Sequence, residues 1–204
     1  MGVDGGVGLL NRHPWVARRA ITVAEFHRMG EVGIIAERDR VELIEGELVS
    51  MSPIGSQHLG AVNALTRLLV TAVGDRGIVS VQNPVRLDDR TEPEPDVAVL
   101  RPRDDEYRTA TPTAEDVLLI VEVADTSLDY DRAVKQPLYA SHGIPELWIV
   151  DLAGRLVEVC REPAGDGYAS VRRIGPDGTL EAAFLSGVSL PVGAVLGSAT
   201  PRSA

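Results

Sequence analysis

The chain carries 204 residues, 44% of them hydrophobic, and a formal net charge of −10. That length and apolar content suffice for one real core. The acidity excludes a broad basic surface, because Lys and Arg contacts to phosphates supply most non-specific grip on nucleic acid, though a local site on an acidic body stays open. A lone cysteine, Cys160, excludes a disulfide framework and fits a reducing, cytoplasmic setting. No apolar run reaches the roughly 18 residues of a bilayer span, so no membrane contact is expected.

Residues 1–20 are Gly-rich and then basic, without periodicity, and are expected to form a flexible arm. A single domain is expected over 21–196, with a flexible tail over 197–204. Thr22 is placed to cap a short helix through Met29, with Val23, Phe26 and Met29 on one face. Val41–Ile44 and Glu47–Met51 flank Glu45-Gly46 and predict a β-hairpin. Glu42 points to the face opposite Val41 and Leu43, either as a solvated strand residue or as a neighbour of an acidic site. From Ser56 to Val73, Leu59, Val62, Leu65, Leu69 and Val73 recur at helical spacing, and Gly74 ends the helix. His58 stands in its first turn, where the helix dipole favours a neutral imidazole; a surface or capping role is the plain alternative to a site role. A strand is expected from Ile78 to Leu87, with Pro84 marking an irregularity or an edge. Pro95-Asp96 then opens an apolar strand, Val97 to Leu100. Residues 101–116 are charged and Thr/Pro-containing, a loop long enough to be functional.

The stretch from Val117 to Asp151 reads as a β-α-β unit: an apolar strand carrying Glu122, a helix carrying Lys135, and a second apolar strand from Glu146. Leu156–Arg161 and Tyr168–Ile174 alternate as an antiparallel pair, and Phe184–Pro191 reads as a last short strand. A carboxylate within an apolar strand is costly to bury unpaired, so Glu122 requires a partner, a metal or a wet cleft. With Asp96 on a neighbouring strand and Lys135 on the next helix, a plausible site emerges: hard cations such as Mg²⁺ take carboxylate oxygens, and a lysine can orient water or stabilise developing phosphoryl charge. The residues alone leave other readings open. Asp96 can stabilise a turn, Glu122 can pair with a core cation, and Asp131 with Lys135 can form a helix-surface ion pair at i,i+4.

The order of VELIEGELVSMSP, His58 at a helix start, EPDVAVL, LLIVEVADTS and DRAVKQPLYASHGIPELWIVD resembles the Uma-type family of "putative restriction endonucleases" within the PD-(D/E)XK nuclease superfamily. The resemblance spans about Thr22 to Val195. Its most specific run places Lys135, Tyr139, Gly143, Ile144, Glu146, Trp148 and Asp151 at fixed spacing. It implies an α/β (α+β) fold with an α-β-β-β-α-β core, a mixed central sheet, an N-terminal hairpin and extra C-terminal antiparallel strands. In such proteins an Asp is followed by an acid two residues before a Lys. Asp96 and Glu122 match the acids, Ala124 stands where the Lys would be, and Lys135 on the following helix is the matching substitute. Ala124-Asp125-Thr126-Ser127 departs from the Leu-Ser-Pro-Ser of relatives. The resemblance implies a DNA endonuclease using Mg²⁺, with Mn²⁺ a possible substitute, in which Asp96 and Glu122 hold metal, Lys135 positions water, and His58 and Glu42 lie beside the phosphate. The alternatives are a homodimeric binding or assembly protein that keeps the fold without catalysis, or a hydrolase of another phosphoester.

Overall fold

The structure is a computed structural model describing residues 19–36 and 39–197. The expected arm and tail therefore lie outside the described residues except for Arg19, Ala20 and Gly197. At the start of α1 (Val23–Glu31), the Thr22 hydroxyl accepts from Glu25 N–H at 3.2 Å, and the Glu25 carboxylate accepts from Thr22 N–H at 3.0 Å. This reciprocal capping box satisfies two end groups of the helix at once. The hairpin follows as β1 (Val41–Ile44) and β2 (Glu47–Ser50). Its turn residues Glu45 and Gly46 both have positive φ, 50° and 79°, the twist that two-residue hairpins require. Glycine is needed there, because a Cβ on Gly46 would collide with Ala20.

Helix α2 (Ser56–Val73) buries Ala61, Val62, Leu65, Leu69 and Val73, and Gly74 ends it with φ 54°. Leu59 departs from the expected stripe and is 53% exposed, since the covered face starts one turn later. The expected strand from Ile78 to Leu87 stops at Val81: β3 is Ile78–Val81. Gln82 turns the chain with φ 51°, and Pro84 has no N–H to continue a ladder.

Strands β4 (Val97–Leu100), β5 (Val117–Ala124), β6 (Glu146–Asp151), β7 (Leu156–Ala164) and β8 (Gly167–Ile174) complete a sheet of order β3-β4-β5-β6-β7-β8. Only the β5–β6 pairing is parallel, as a β-α-β crossover dictates. The crossover starts as α3 (Leu128–Tyr130), widens into a π-helical turn (Asp131–Lys135) and resumes as α4 (Gln136–Ser141). The expected last strand shortens to β10 (Ser189–Pro191), paired with β9 (Thr179–Glu181), while Phe184 is exposed; α5 (Val192–Leu196) follows.

The run from α2 through β6 is thus the expected α-β-β-β-α-β core. Both faces of the sheet are covered. Leu65 and Leu69 of α2 pack on Val121, Val123 and Trp148 on one side; Tyr139 and Ile144 pack on Ile120, Leu147 and Ile149 on the other. All eight residues of β5 are buried, so Glu122 is set within an apolar strand. That placement controls its chemistry.

Candidate active site

The antiparallel ladder brings the two acids together. One step beyond the pair Val97 and Val121, the carboxylates of Asp96 and Glu122 cross over. Val123 N–H donates to Asp96 Oδ2 at 2.8 Å, and Asp96 N–H donates to Glu122 Oε2 at 3.3 Å. Glu122 lies between Ile120 and Ala124 on the strand, and so faces the crossover helix.

The helix answers with one face. Asp131, Lys135 and Tyr139 recur every four residues and are all buried. Lys135 Nζ donates to Glu42 Oε1 at 2.6 Å and reaches Glu122 Oε1 at 3.4 Å, while the Tyr139 hydroxyl donates to Glu122 Oε1 at 2.6 Å. Lys135 is 1% exposed. The surface ion pair open to Asp131 and Lys135 on sequence grounds is therefore not formed: Asp131 turns inward and accepts from the Ser127 hydroxyl at 2.7 Å. A π turn at this point is in keeping with the frequent use of such bulges at functional sites.

Glu42 arrives from the hairpin. The segment leading to Asp96 runs beside β1, with Glu92 N–H donating to Leu43 carbonyl at 2.7 Å and Glu94 N–H to Glu42 Oε1 at 2.8 Å. This covers the face that alternation left open, and Glu42 is buried rather than solvated. His58 is likewise not a surface or capping residue: Nε2 contacts Asp96 Oδ2 at 2.9 Å, and the side chain is mostly buried. An ionised Asp96 favours the tautomer with its proton on Nε2. All five expected residues, Glu42, His58, Asp96, Glu122 and Lys135, are thus linked in one hydrogen-bonded group. Sequence reading missed the inward Asp131 and the Glu122 contact of Tyr139, although their four-residue spacing from Lys135 was the available signal.

The group borders a cavity of about 420 Å³. Its lining includes Glu42, Glu94, Asp96, Glu122, Asp125 and Asp131, with Arg40 the basic side chain in the same wall. Burial pushes Glu122 up to about 8; Lys135 opposes this, and Asp96, Asp131 and Glu42 reinforce it. Burial also lifts Asp131 to about 6 against its Ser127 bond and Lys135. Burial disfavours the Lys135 ammonium, but Glu122 and Glu42 outweigh it and hold the amine protonated above its ordinary range. Among the described residues, four buried side-chain polar atoms lack a hydrogen-bond partner within the protein. Three of them, Glu42 Oε2, His58 Nδ1 and the Tyr130 hydroxyl, belong to residues lining this cavity.

Among the described residues, no group of three or more His, Cys, Asp or Glu side chains is arranged to hold a metal ion. Mg²⁺ does not demand one, since it is commonly bound by one or two carboxylates and retains several waters. Asp96 Oδ1 and Glu122 Oε2 carry only long contacts of 3.3 Å, from Gln82 Nε2 and Asp96 N–H. These hard oxygens, within an acid-rich lining, fit such a two-carboxylate site.

A family model described as "Uma2: Putative restriction endonuclease" matches residues 23–193. A solved structure from Anabaena variabilis ATCC 29413, described as "a putative nuclease belonging to DUF820", superposes with a TM-score of 0.67 at 17% identity, covering 86% of this chain and 97% of that one. It shares the fold. No curated protein matches the chain. Among the described residues, no helix is long and apolar enough to cross a membrane.

Proposed function

This chain belongs to the Uma2 family, described as putative restriction endonucleases, and from that premise we propose that it is a Mg²⁺-dependent endonuclease hydrolysing DNA phosphodiester bonds. The observation that carries the reading is the convergence of Asp96 and Glu122 on one cavity wall, with Lys135 fixed between Glu122 and Glu42.

Asp96 and Glu122 are the residues that would hold the ion, which when bound supplies Lewis-acid stabilisation of the phosphoryl group and acidifies water. His58 keeps Asp96 oriented. Tyr139 and Lys135 fix Glu122, and Glu42 anchors Lys135. An ammonium has three donors; with two directed at carboxylates, the third N–H of Lys135 orients the attacking water. Because this cation is held in a dry setting, it also stabilises charge developing in the transition state without reorganising.

The test is cleavage of supercoiled and single-stranded DNA with Mg²⁺ or Mn²⁺ by wild type, Glu122→Ala and Lys135→Ala. Expected is metal-dependent cutting that falls by roughly 10²–10³-fold or more in each variant, the scale of removing one transition-state donor. The net charge of −10 favours a second reading, a non-catalytic homodimeric binding or assembly protein. A folded, Mn²⁺-binding wild type that cuts neither DNA form would support it or another phosphoester as substrate.

A further inference from the structure

We infer, resting on the nuclease reading above, that the cavity takes an unpaired nucleotide, so that the substrate is single-stranded or locally unpaired DNA rather than continuous duplex. The first observation is depth. Asp96 is 8% exposed and Glu122 5%, so a scissile phosphate must descend to reach them. A duplex holds its phosphates on a stiff, convex surface, whereas an unpaired strand can lower one nucleotide away from its neighbours, as enzymes that act on extruded bases require.

The second observation is the rest of the lining. Val49, Met51, Pro53 and Ile54, from β2 and the connection to α2, border the same cavity as the acids, and so does the half-buried Tyr130. Phosphates and sugar hydroxyls gain little from such a surface. A nucleobase gains from it, since its faces are apolar and an unpaired base seeks a surface to cover them. The cavity volume of about 420 Å³ lies in the range of small-molecule sites, a size for one nucleotide and not for a double helix.

The third observation is charge. Duplex DNA presents one phosphate per about 1.7 Å of axis and needs a track of cations to hold it. Here the cavity wall offers Arg40 against six acids on a chain of net charge −10. A single strand has a lower charge density, so its approach to this surface is opposed less.

The experiment compares a single-stranded oligonucleotide, the same sequence as a perfect duplex, a duplex with a central unpaired bubble, and the single strand with one abasic position. Each is cut with Mn²⁺ and, separately, bound in Ca²⁺. Expected is at least tenfold higher kcat/KM on the single strand and bubble than on duplex, with cuts confined to the bubble. The abasic position should suppress cutting at the adjoining phosphate about tenfold. Ile54→Ala and Met51→Ala, checked for unchanged melting, should raise KM more than they lower kcat. Equal cutting of duplex and single strand would overturn this inference and leave the nuclease reading standing. If wild type cuts nothing, the nuclease reading fails; binding in Ca²⁺ then decides the inference, sustained by tighter binding of single strand than duplex and overturned by equal or absent binding.

Discussion

The central sheet buries acids in two regions, and it treats them in opposite ways. On β6 and β7, Glu146 is fully buried yet receives donors from Trp148 Nε1, Arg161 Nε and Nη2, and Ala183 N–H, at 2.7–2.9 Å. Glu158 is held by Arg132 and Arg173; burial pushes it up, but those hydrogen bonds and charges win and leave it below its ordinary value. At the start of β4 and on β5, Asp96 and Glu122 meet, one buried lysine serves both Glu122 and Glu42 with Asp131 on its helix face, and Glu122 is driven upward. Buried acids are normally paired and hydrogen-bonded. A fully partnered acid such as Glu146 is therefore architecture. An under-neutralised group bordering a cavity is the pattern expected of a functional site, where local rules are broken for use.

The largest effect should break the architectural side. Glu146→Ala removes the acceptor shared by Arg161, Trp148 and Ala183, leaving buried donors unpaired. Removing one member of a buried pair costs about 3–5 kcal/mol, and the partial exposure of Arg161 places this loss at about 3 kcal/mol. Urea unfolding should show it, while the Mn²⁺ affinity of the folded fraction stays at the wild-type value. A comparable fall in affinity would show that the two acid regions are not separate.

The opposite sign is expected at the cavity. Glu122 has its folded pKa raised to about 8 from an ordinary 4.5, so its contribution to stability is fully present below about pH 4.5 and is lost as pH rises through about 8. Glu122→Gln replaces it with a neutral group of the same shape. The melting temperature of the variant minus that of wild type should therefore be more positive at pH 8.5 than at pH 5, with Mn²⁺ binding weakened at least tenfold. A difference independent of pH would show that Glu122 ionises in the folded protein as an ordinary carboxylate.

How far the sequence reaches follows the same division. The hairpin, α2 and the β-α-β unit were legible because Glu45-Gly46, the Leu65/Leu69 spacing and the apolar runs are local signals. Glu42 was ambiguous because alternation separates two faces without saying which is covered; the segment from Glu92 to Asp96, fifty residues later, covers it. His58 was ambiguous for the same reason, since its partner is Asp96. Asp96, Glu122 and Lys135 could be named as a set chiefly through family resemblance, and their contacts depend on strand pairing and on the face of the crossover helix. Gln82 ended a strand that propensity extended to Leu87, because a positive φ at one residue overrides a run of apolar neighbours.

The smallest effect separates the cavity acids from one another. Asp131 shares the helix face of Lys135, but its hydrogen bond is to Ser127, and its pKa is lifted by burial to about 6 from an ordinary 3.8. Its contribution to stability is complete below about pH 3.8 and gone above about 6, a window that closes two pH units before that of Glu122. Asp131→Asn should therefore gain on wild type in melting temperature between pH 4 and pH 6.5 and gain nothing further up to pH 8.5, where Glu122→Gln continues to gain. Nuclease activity should fall only a few-fold, since Asn keeps an oxygen to accept from Ser127 while removing one negative charge from the surroundings of Lys135. If both variants instead gained over one common pH range, the two carboxyls would titrate as a coupled pair, and the under-neutralised region would act as a single electrostatic unit, not as separate acids around a shared lysine.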